Sequence, residues 1–235
     1  MDYLNNGLNQ WNLVLTDTQV QQFHKYKELL VSWNEKMNLT AVTEDKEIQI
    51  KHFLDSLSIC RVLDPMRYGS LLDLGTGAGF PGIPIKIIWP YIQITLADSL
   101  KKRVRFLDEV IRELELDGIT AVHGRAEELA KDGNHREQYD LCVSRAVANL
   151  STLSEYCLPF VKKGGYFVSY KGSDASEECK NAKKAIRLLG GRIEKEESFT
   201  LPLSEYGRTL IAVKKTDPTP GKYPRRAGTP AKEPL

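Results

Sequence analysis

Between Leu71 and Gly82 the chain reads LLDLGTGAGFPG, an apolar strand-like run that ends at Asp73 and Leu74 and enters glycines at 75, 77 and 79. Glycine lets a backbone turn tightly against a ligand, which makes the stretch a candidate cradle for a nucleotide-like cofactor. A dinucleotide turn asks for G-x-G-x-x-G. Here the sixth position counted from Gly75 is Phe80, and the spacing is G-x-G-x-G followed by Phe-Pro-Gly. Pyrophosphate also needs free N–H groups at the start of the next helix, and Pro81 and Pro84 remove two of them. A cofactor without phosphates fits better, and S-adenosylmethionine is the common one; NAD stays open at this point.

The other candidates group around that turn. Asp98 closes the next apolar run, nineteen residues after Gly79, where an acid either accepts both hydroxyls of a ribose or caps the helix that follows. Asp73 is placed either to accept from an ammonium such as a methionyl amine or to fix the glycine loop. In HGRAEEL, Ala126 and Glu127 offer backbone groups to an adenine edge, unless Glu127 and Glu128 are only favourable charges in a first helical turn. SRAVANL puts Ser144, Arg145 and Asn149 beside the expected position of a reacting group. His52, Asp55 and Ser56 share one helical face, as a hydrogen-bonded support for the cofactor mouth or as packing. Lys171 touches RNA or pairs with an acid. Two basic stretches, Lys101, Lys102, Arg103 and Arg105, and Lys222, Arg225 and Arg226 around Tyr223, are candidate phosphate contacts.

Elements of a recognisable order must carry these residues. Up to about residue 69 the pattern is helical, with Leu15 and Thr16 ahead of Gln19 as a capping box and Phe23, Tyr26, Leu30, Trp33 and Met37 as a stripe. A second helix is expected from 44 to 61. From Ser70, strands at 70–74, 91–97, 119–123, 139–144 and 165–170 alternate with helices near 82–89, 100–116, 126–131, 149–161 and 174–189, which predicts a mostly parallel, doubly wound α/β sheet. Runs at 192–200 and 208–215 lack a helix between them, so the sheet is expected to end in an antiparallel hairpin. The last stretch holds five of the eleven prolines, and regular structure is not expected there. The domain reading is 1–69 helical extension, 70–216 catalytic domain and 217–235 basic tail.

With 235 residues the chain can bury one large core. No apolar run is long enough for a membrane span and the N-terminus lacks a signal pattern, so a cytoplasmic protein is expected. The four cysteines are far apart, without metal-ligand spacing, and read as buried free thiols; no metal is expected. The net charge of +2 is uneven. From Lys214 onward six basic residues face two acids, giving the tail +4 and the rest −2, so a polyanion would be drawn first to that end.

LDLGTGAGFPGIPIKI, ADSLKKRVRFL, GRAEEL, VSRAVANL, the lysine in SYKGS and the terminal KYPRRAGTPAKEPL together resemble the ribosomal RNA small-subunit methyltransferase G family, also called glucose-inhibited division protein B. WNEKMNLTAVTE and KHFLDSL extend the resemblance over nearly the whole chain, the first fifteen residues being least informative. The resemblance implies a class I S-adenosylmethionine-dependent fold, methylation of guanine N7 in the decoding-region loop of bacterial 16S rRNA, and cofactor contacts at Gly75, Phe80, Ala126, Glu127 and Arg145. The partner is then 16S rRNA or the 30S subunit, and a monomer is expected. Guanine N7 has an in-plane lone pair and no proton, so no general base is expected, and catalysis rests on alignment, with Arg145 in a positioning role. Arg145 cannot grip O6 and N7 together, because that would cover the atom to be methylated. An NAD-linked oxidoreductase and a non-catalytic RNA-binding module are the competing readings.

Overall fold

The computed structural model describes residues 1–145 and 148–235. Its centre is a seven-stranded sheet in the order β3-β2-β1-β4-β5-β7-β6. Strands β1 (Ser70–Leu74), β2 (Gln93–Asp98), β3 (Ile119–His123), β4 (Tyr139–Ser144) and β5 (Val161–Lys171) run parallel, and β7 (Gly207–Lys215) is antiparallel to both β5 and β6 (Gly191–Thr200). The doubly wound sheet with its terminal hairpin is the architecture expected from the alternating pattern. Leu71 to Leu74 are all buried, as a central parallel strand covered on both faces requires. At the far edge, β6 reads GRIEKEESFT and is largely exposed, a charged edge that discourages pairing with another chain.

One face of the sheet is covered by α1 (Asp2–Asn9), α2 (Asp17–Met37), α5 (Gly82–Ile88) and α6 (Lys101–Glu113). The Thr16–Gln19 capping box forms as expected, and Gln19 Nε2 donates to Ile87 O at 2.8 Å, which ties α2 to the end of α5. Phe23, Tyr26 and Leu30 of the predicted stripe are fully buried in the same apolar cluster as Ile83, Leu96 and Phe106. Residues of the first 69 therefore share a core with the sheet. α1 lies in the stretch where the sequence pattern is least informative.

The run expected as one helix from 44 to 61 is instead α3 (Asp45–Glu47), a π-helical segment Ile48–Leu54, α4 (Asp55–Leu57) and a 3-10 turn Ser58–Arg61. The opposite face carries α7 (Ala126–Leu129), α8 (Leu150–Cys157) and α9 (Ser176–Leu188). Helix α8 ends four residues earlier than expected and passes through a 3-10 turn into β5, which begins at Val161.

The tail also departs from expectation. Its prolines allow the short helix α10 (Thr229–Lys232), with Pro230 in the first turn where its missing N–H costs nothing. Tyr223 is buried with the second core cluster, and Arg136 donates to Thr219 O, Pro220 O and Tyr223 O. Among the described residues no helix is long and apolar enough to cross a membrane.

Candidate active site

Strand order reverses at β1, between β2 and β4, and three clefts open along that line at the carboxyl ends of the strands, where open α/β sheets bind ligands. A cleft of about 510 Å³ is lined by Gly75, Asp98, Ala126, Glu127 and Gly228. A second, of about 430 Å³, is lined by Gly75, Gly77, Phe80, His52 and Arg145. The third, of about 660 Å³, is lined by His52, Arg145, Tyr170, Lys171, Glu178 and Arg208. Gly75 borders the first two clefts, and His52 and Arg145 border the last two.

The glycine loop divides its work. Gly75, Gly77 and Gly79 have φ of 72°, 62° and 97°, conformations that favour glycine. A Cβ on Gly77 would meet nothing within 4 Å among the described residues beyond its chain neighbours, so this residue presents open backbone to the cleft. A Cβ on Gly79 would lie 2.4 Å from Ile83 Cδ1 and 2.6 Å from the Tyr26 hydroxyl. Gly79 therefore serves packing beneath the loop. Gly82, which the motif reading passed over, has the same duty, since its Cβ would fall 2.3 Å from Leu96.

Two carboxylates hold the loop. Asp98, 3 % exposed, accepts from Gly77 N at 3.0 Å, Leu100 N at 2.9 Å and Arg103 at 3.3 Å while facing the first cleft. Loop support and helix capping thus coexist with its ribose-facing position. Asp73 Oδ2 accepts from the Thr76 hydroxyl at 2.6 Å and Gly82 N at 2.8 Å, while Oδ1 is buried without a partner among the described residues. Burial pushes its carboxyl up to about 7 against those two hydrogen bonds.

Arg145 is fixed by the π segment and α4. It donates to Lys51 O at 2.9 Å and Asp55 Oδ2 at 3.0 Å, and lies 3.3 Å from His52 Nδ1. Its guanidinium sits 5.1 Å from the Phe80 ring centroid, and Phe80 in turn stacks on His52 at 4.5 Å. Phe80 is 4 % exposed, more a floor than a wall. The Arg145 hydrogen on Nδ1 fixes the neutral tautomer of His52, whose Nε2–H then donates to Thr40 Oγ1 at 2.8 Å. Burial, reinforced by the Arg145 charge, pushes His52 down to about 3.

Asp55 also accepts from Arg208 Nε at 2.9 Å. The sequence placed Asp55 near the cofactor mouth but not its second arginine, 153 positions away on β7. An Arg at a strand start carries no signal of a partner that distant. Ser144 donates to Leu74 O at 3.0 Å, joining β4 to β1 at the first cleft. Asn149 caps α8 by accepting from Thr152 N at 2.8 Å. The stretch Ala146–Val147 of the SRAVANL motif lies outside the described residues.

Several of the basic candidates for RNA contact are paired with carboxylates of the chain. Arg225 makes a two-pronged pair with the fully buried Glu155, at 3.0 and 2.7 Å. Lys171 donates to Ala148 O and to Glu178 at 2.8 Å, and Arg103 to Asp98. Tyr223 is 7 % exposed and cannot stack on a base. Lys101, Lys102, Arg105, Lys222 and Arg226 remain exposed. The Glu127 carboxylate accepts from Gly228 N at 2.9 Å, so the tail reaches the first cleft.

These features fit S-adenosylmethionine: an unsatisfied buried carboxylate oxygen suited to an ammonium, open backbone at Gly77, and an acid at the end of β2 facing the cleft. A doubly wound sheet carrying this loop at its switch point defines a class I S-adenosylmethionine-dependent methyltransferase. The fold is shared with a Methanococcus jannaschii fibrillarin pre-rRNA processing protein, 20 % identical over 66 % of this chain and 70 % of that one, with a TM-score of 0.52. It is shared too with Pyrococcus horikoshii TYW2 in complex with MeSAdo, 14 % identical over 70 % of this chain and 63 % of that one, TM-score 0.54.

The chain belongs to the rRNA small subunit methyltransferase G (GidB) family, whose model matches residues 19–203. Relatives named ribosomal RNA small subunit methyltransferase G include one from Alkaliphilus metalliredigens, 51 % identical over 99 % of this chain and 97 % of that protein. Another, from Listeria monocytogenes, is 48 % identical over 97 % of this chain and 96 % of that protein. Family membership settles the cofactor left open by the glycine spacing as S-adenosylmethionine.

Proposed function

We propose that this protein transfers a methyl group from S-adenosylmethionine to N7 of a guanine in the decoding-region loop of 16S rRNA, acting in the cytoplasm as a monomer. The observation that carries the reading is the line of three clefts, with Arg145 and His52 on the boundary between the second and third. When bound, S-adenosylmethionine supplies an electrophilic methyl on a sulfonium. Asp98, Ala126 and Glu127 would hold its adenosine end and Gly75, Gly77 and Asp73 its amino-acid end. The third cleft, lined by Arg145, Lys171 and Arg208, would receive the target nucleotide.

The acceptor nitrogen carries no proton, so the residues need only hold the reacting groups in line. Such alignment is worth about 7–11 kcal/mol when bound groups are well oriented. His52 matches that requirement: both ring nitrogens are engaged and its pKa lies far below neutrality, so it acts as a neutral prop for Arg145. Arg145, with one amino group given to Lys51 O and Asp55 and one hydrogen of the other to His52, has its Nε–H and the last amino hydrogen for O6, a phosphate or the donor.

The test is methyl transfer from radiolabelled S-adenosylmethionine to purified 30S subunits and to naked 16S rRNA, with digestion to nucleosides. Label in 7-methylguanosine is expected. Label in any other nucleoside, or in neither substrate, would refute the reading, and the comparison of the two substrates identifies the form of rRNA that is methylated.

A further inference from the structure

We propose that the C-terminal segment 225–230 is the outer wall of the adenosine subsite, so that donor affinity depends on a strap far from the glycine loop in sequence. The inference rests on the reading of the first cleft as the adenosine site. Gly228 lines that cleft together with Asp98, Ala126 and Glu127. It has φ of 83°, its Cβ would meet nothing within 4 Å among the described residues beyond its chain neighbours, and its N–H is given to the Glu127 carboxylate at 2.9 Å. Open backbone on one side and a hydrogen bond to a cleft residue on the other is the arrangement of a wall.

The strap is held there by anchors that reach into the protein. Arg225 donates from its backbone N and its guanidinium to Glu155, a carboxylate with no exposure on α8, and also to Glu233 O at 2.7 Å. Thr152 Oγ1, one turn earlier on α8, donates to Pro230 O at 2.9 Å. The two anchors bracket Gly228, three residues after one and two before the other. Helix α8 also supplies Leu153 and Tyr156 to the same cleft, so helix, strap and cleft form one packed unit. A tail serving RNA alone would need none of these internal bonds. Arg225 and Thr152 are positioning residues in this scheme, acting on the donor only through Gly228 and Glu127.

The experiment measures binding of S-adenosylmethionine and of 5′-methylthioadenosine, which lacks the amino-acid end, by calorimetry on the full chain, with melting temperature recorded for each variant. Arg225→Ala should weaken both ligands by the same factor, about tenfold or more. Thr152→Val, which removes the Pro230 bond without stranding a charge, should weaken both by a smaller common factor and keeps the test decisive if Arg225→Ala fails to fold. In the wild type, either ligand should slow hydrogen exchange at Gly228 N–H. Folded variants that bind both ligands with wild-type affinity would overturn the proposal, as would a loss confined to S-adenosylmethionine or an exchange rate at Gly228 that neither ligand changes. Failure of the wild type to bind S-adenosylmethionine at all would instead overturn the reading of the cleft beneath it.

Discussion

Arg145 gives its guanidinium to Lys51 O, His52 and Asp55 and lies over Phe80, so its charge and its plane are both in use. Arg145→Lys keeps the charge but loses the fork that reaches two acceptors at once. Single-turnover methylation at saturating donor should slow by a hundredfold or more, on the order of 3 kcal/mol of alignment, with no change in the shape of the pH–rate profile. That profile should lack a limb near pH 6.5, because His52 is held neutral down to about 3 by burial and Arg145. His52→Ala should lower the rate modestly and leave the profile unchanged; an ionisation near 6.5 that vanished in His52→Ala would make it a base. The folded pKa of His52 lies below its unfolded value, so its share of stability is complete above about 6.5 and declines as pH falls toward 3. Asp73 has the opposite sign. Its carboxyl is raised to about 7 by burial, so the free protein is penalised as pH rises from the unfolded value near 3.9 through 7. Asp73→Asn keeps an acceptor for Thr76 and Gly82 and should stabilise the free protein at pH 8 by about 4 kcal/mol, while removing the carboxylate proposed to meet the donor's ammonium. Thermal melting at pH 5 and pH 8, with titration of S-adenosylmethionine, checks both halves; equal melting shifts at the two pH values would contradict the assignment.

The glycine loop between β1 and α5 shows the same separation of duties along an element. Gly77→Asp places a carboxylate in open space at a φ of 62° that Asp tolerates, so the melting temperature should change by only a few degrees while donor binding is lost. Gly79→Ala must push against Ile83 and the Tyr26 hydroxyl and adopt φ of 97°, and should cost about 2 kcal/mol or more. Calorimetry and melting on the two variants should give opposite patterns, and loss of both properties in both variants would contradict the division. Both glycines look alike in the sequence, because the difference between them lies in what α2 and α5 bring beneath the loop. What was legible is the sheet, since β1 to β5 are short apolar runs punctuated by amphipathic helices, and the loop, whose spacing is local. What was not legible depends on partners distant in the chain. The π segment Ile48–Leu54 reads as ordinary helix until Arg145 arrives to use Lys51 O. The five-proline tail reads as irregular until Glu155 and Thr152 bind it to α8. The N-terminal stretch shows an apolar pattern too short to assign, yet Leu4 and Leu8 are fully buried.

Across the whole molecule, basic residues are sorted by whether a carboxylate has claimed them. Arg103, Lys171, Arg208 and Arg225 are paired with Asp98, Glu178, Asp55 and Glu155, and the first three line the clefts. Lys101, Lys102 and Arg105 at the start of α6 and Lys222 and Arg226 on the tail are exposed. Helix α6 follows β2 and the tail reaches the same cleft from the side of α8, so the two exposed groups adjoin the first cleft through Arg103 and Gly228. An rRNA strand lying across the clefts would meet one group on each side, and its phosphates would supply a sequence-independent, salt-sensitive part of the affinity. Replacing Lys222 and Arg226 together by Gln should make the slope of log affinity against log salt shallower by about 1.4, at about 0.7 for each phosphate no longer neutralised on single-stranded RNA. Lys101 and Lys102 changed together to Gln should give a similar decrease, with donor affinity at the wild-type value because neither residue lines the first cleft. Filter binding of a 16S rRNA fragment over a range of potassium chloride concentrations measures the slopes. A slope unchanged in both double variants would mean that rRNA approaches by another face, and a slope that falls only for the α6 pair would leave the tail with its structural duty alone.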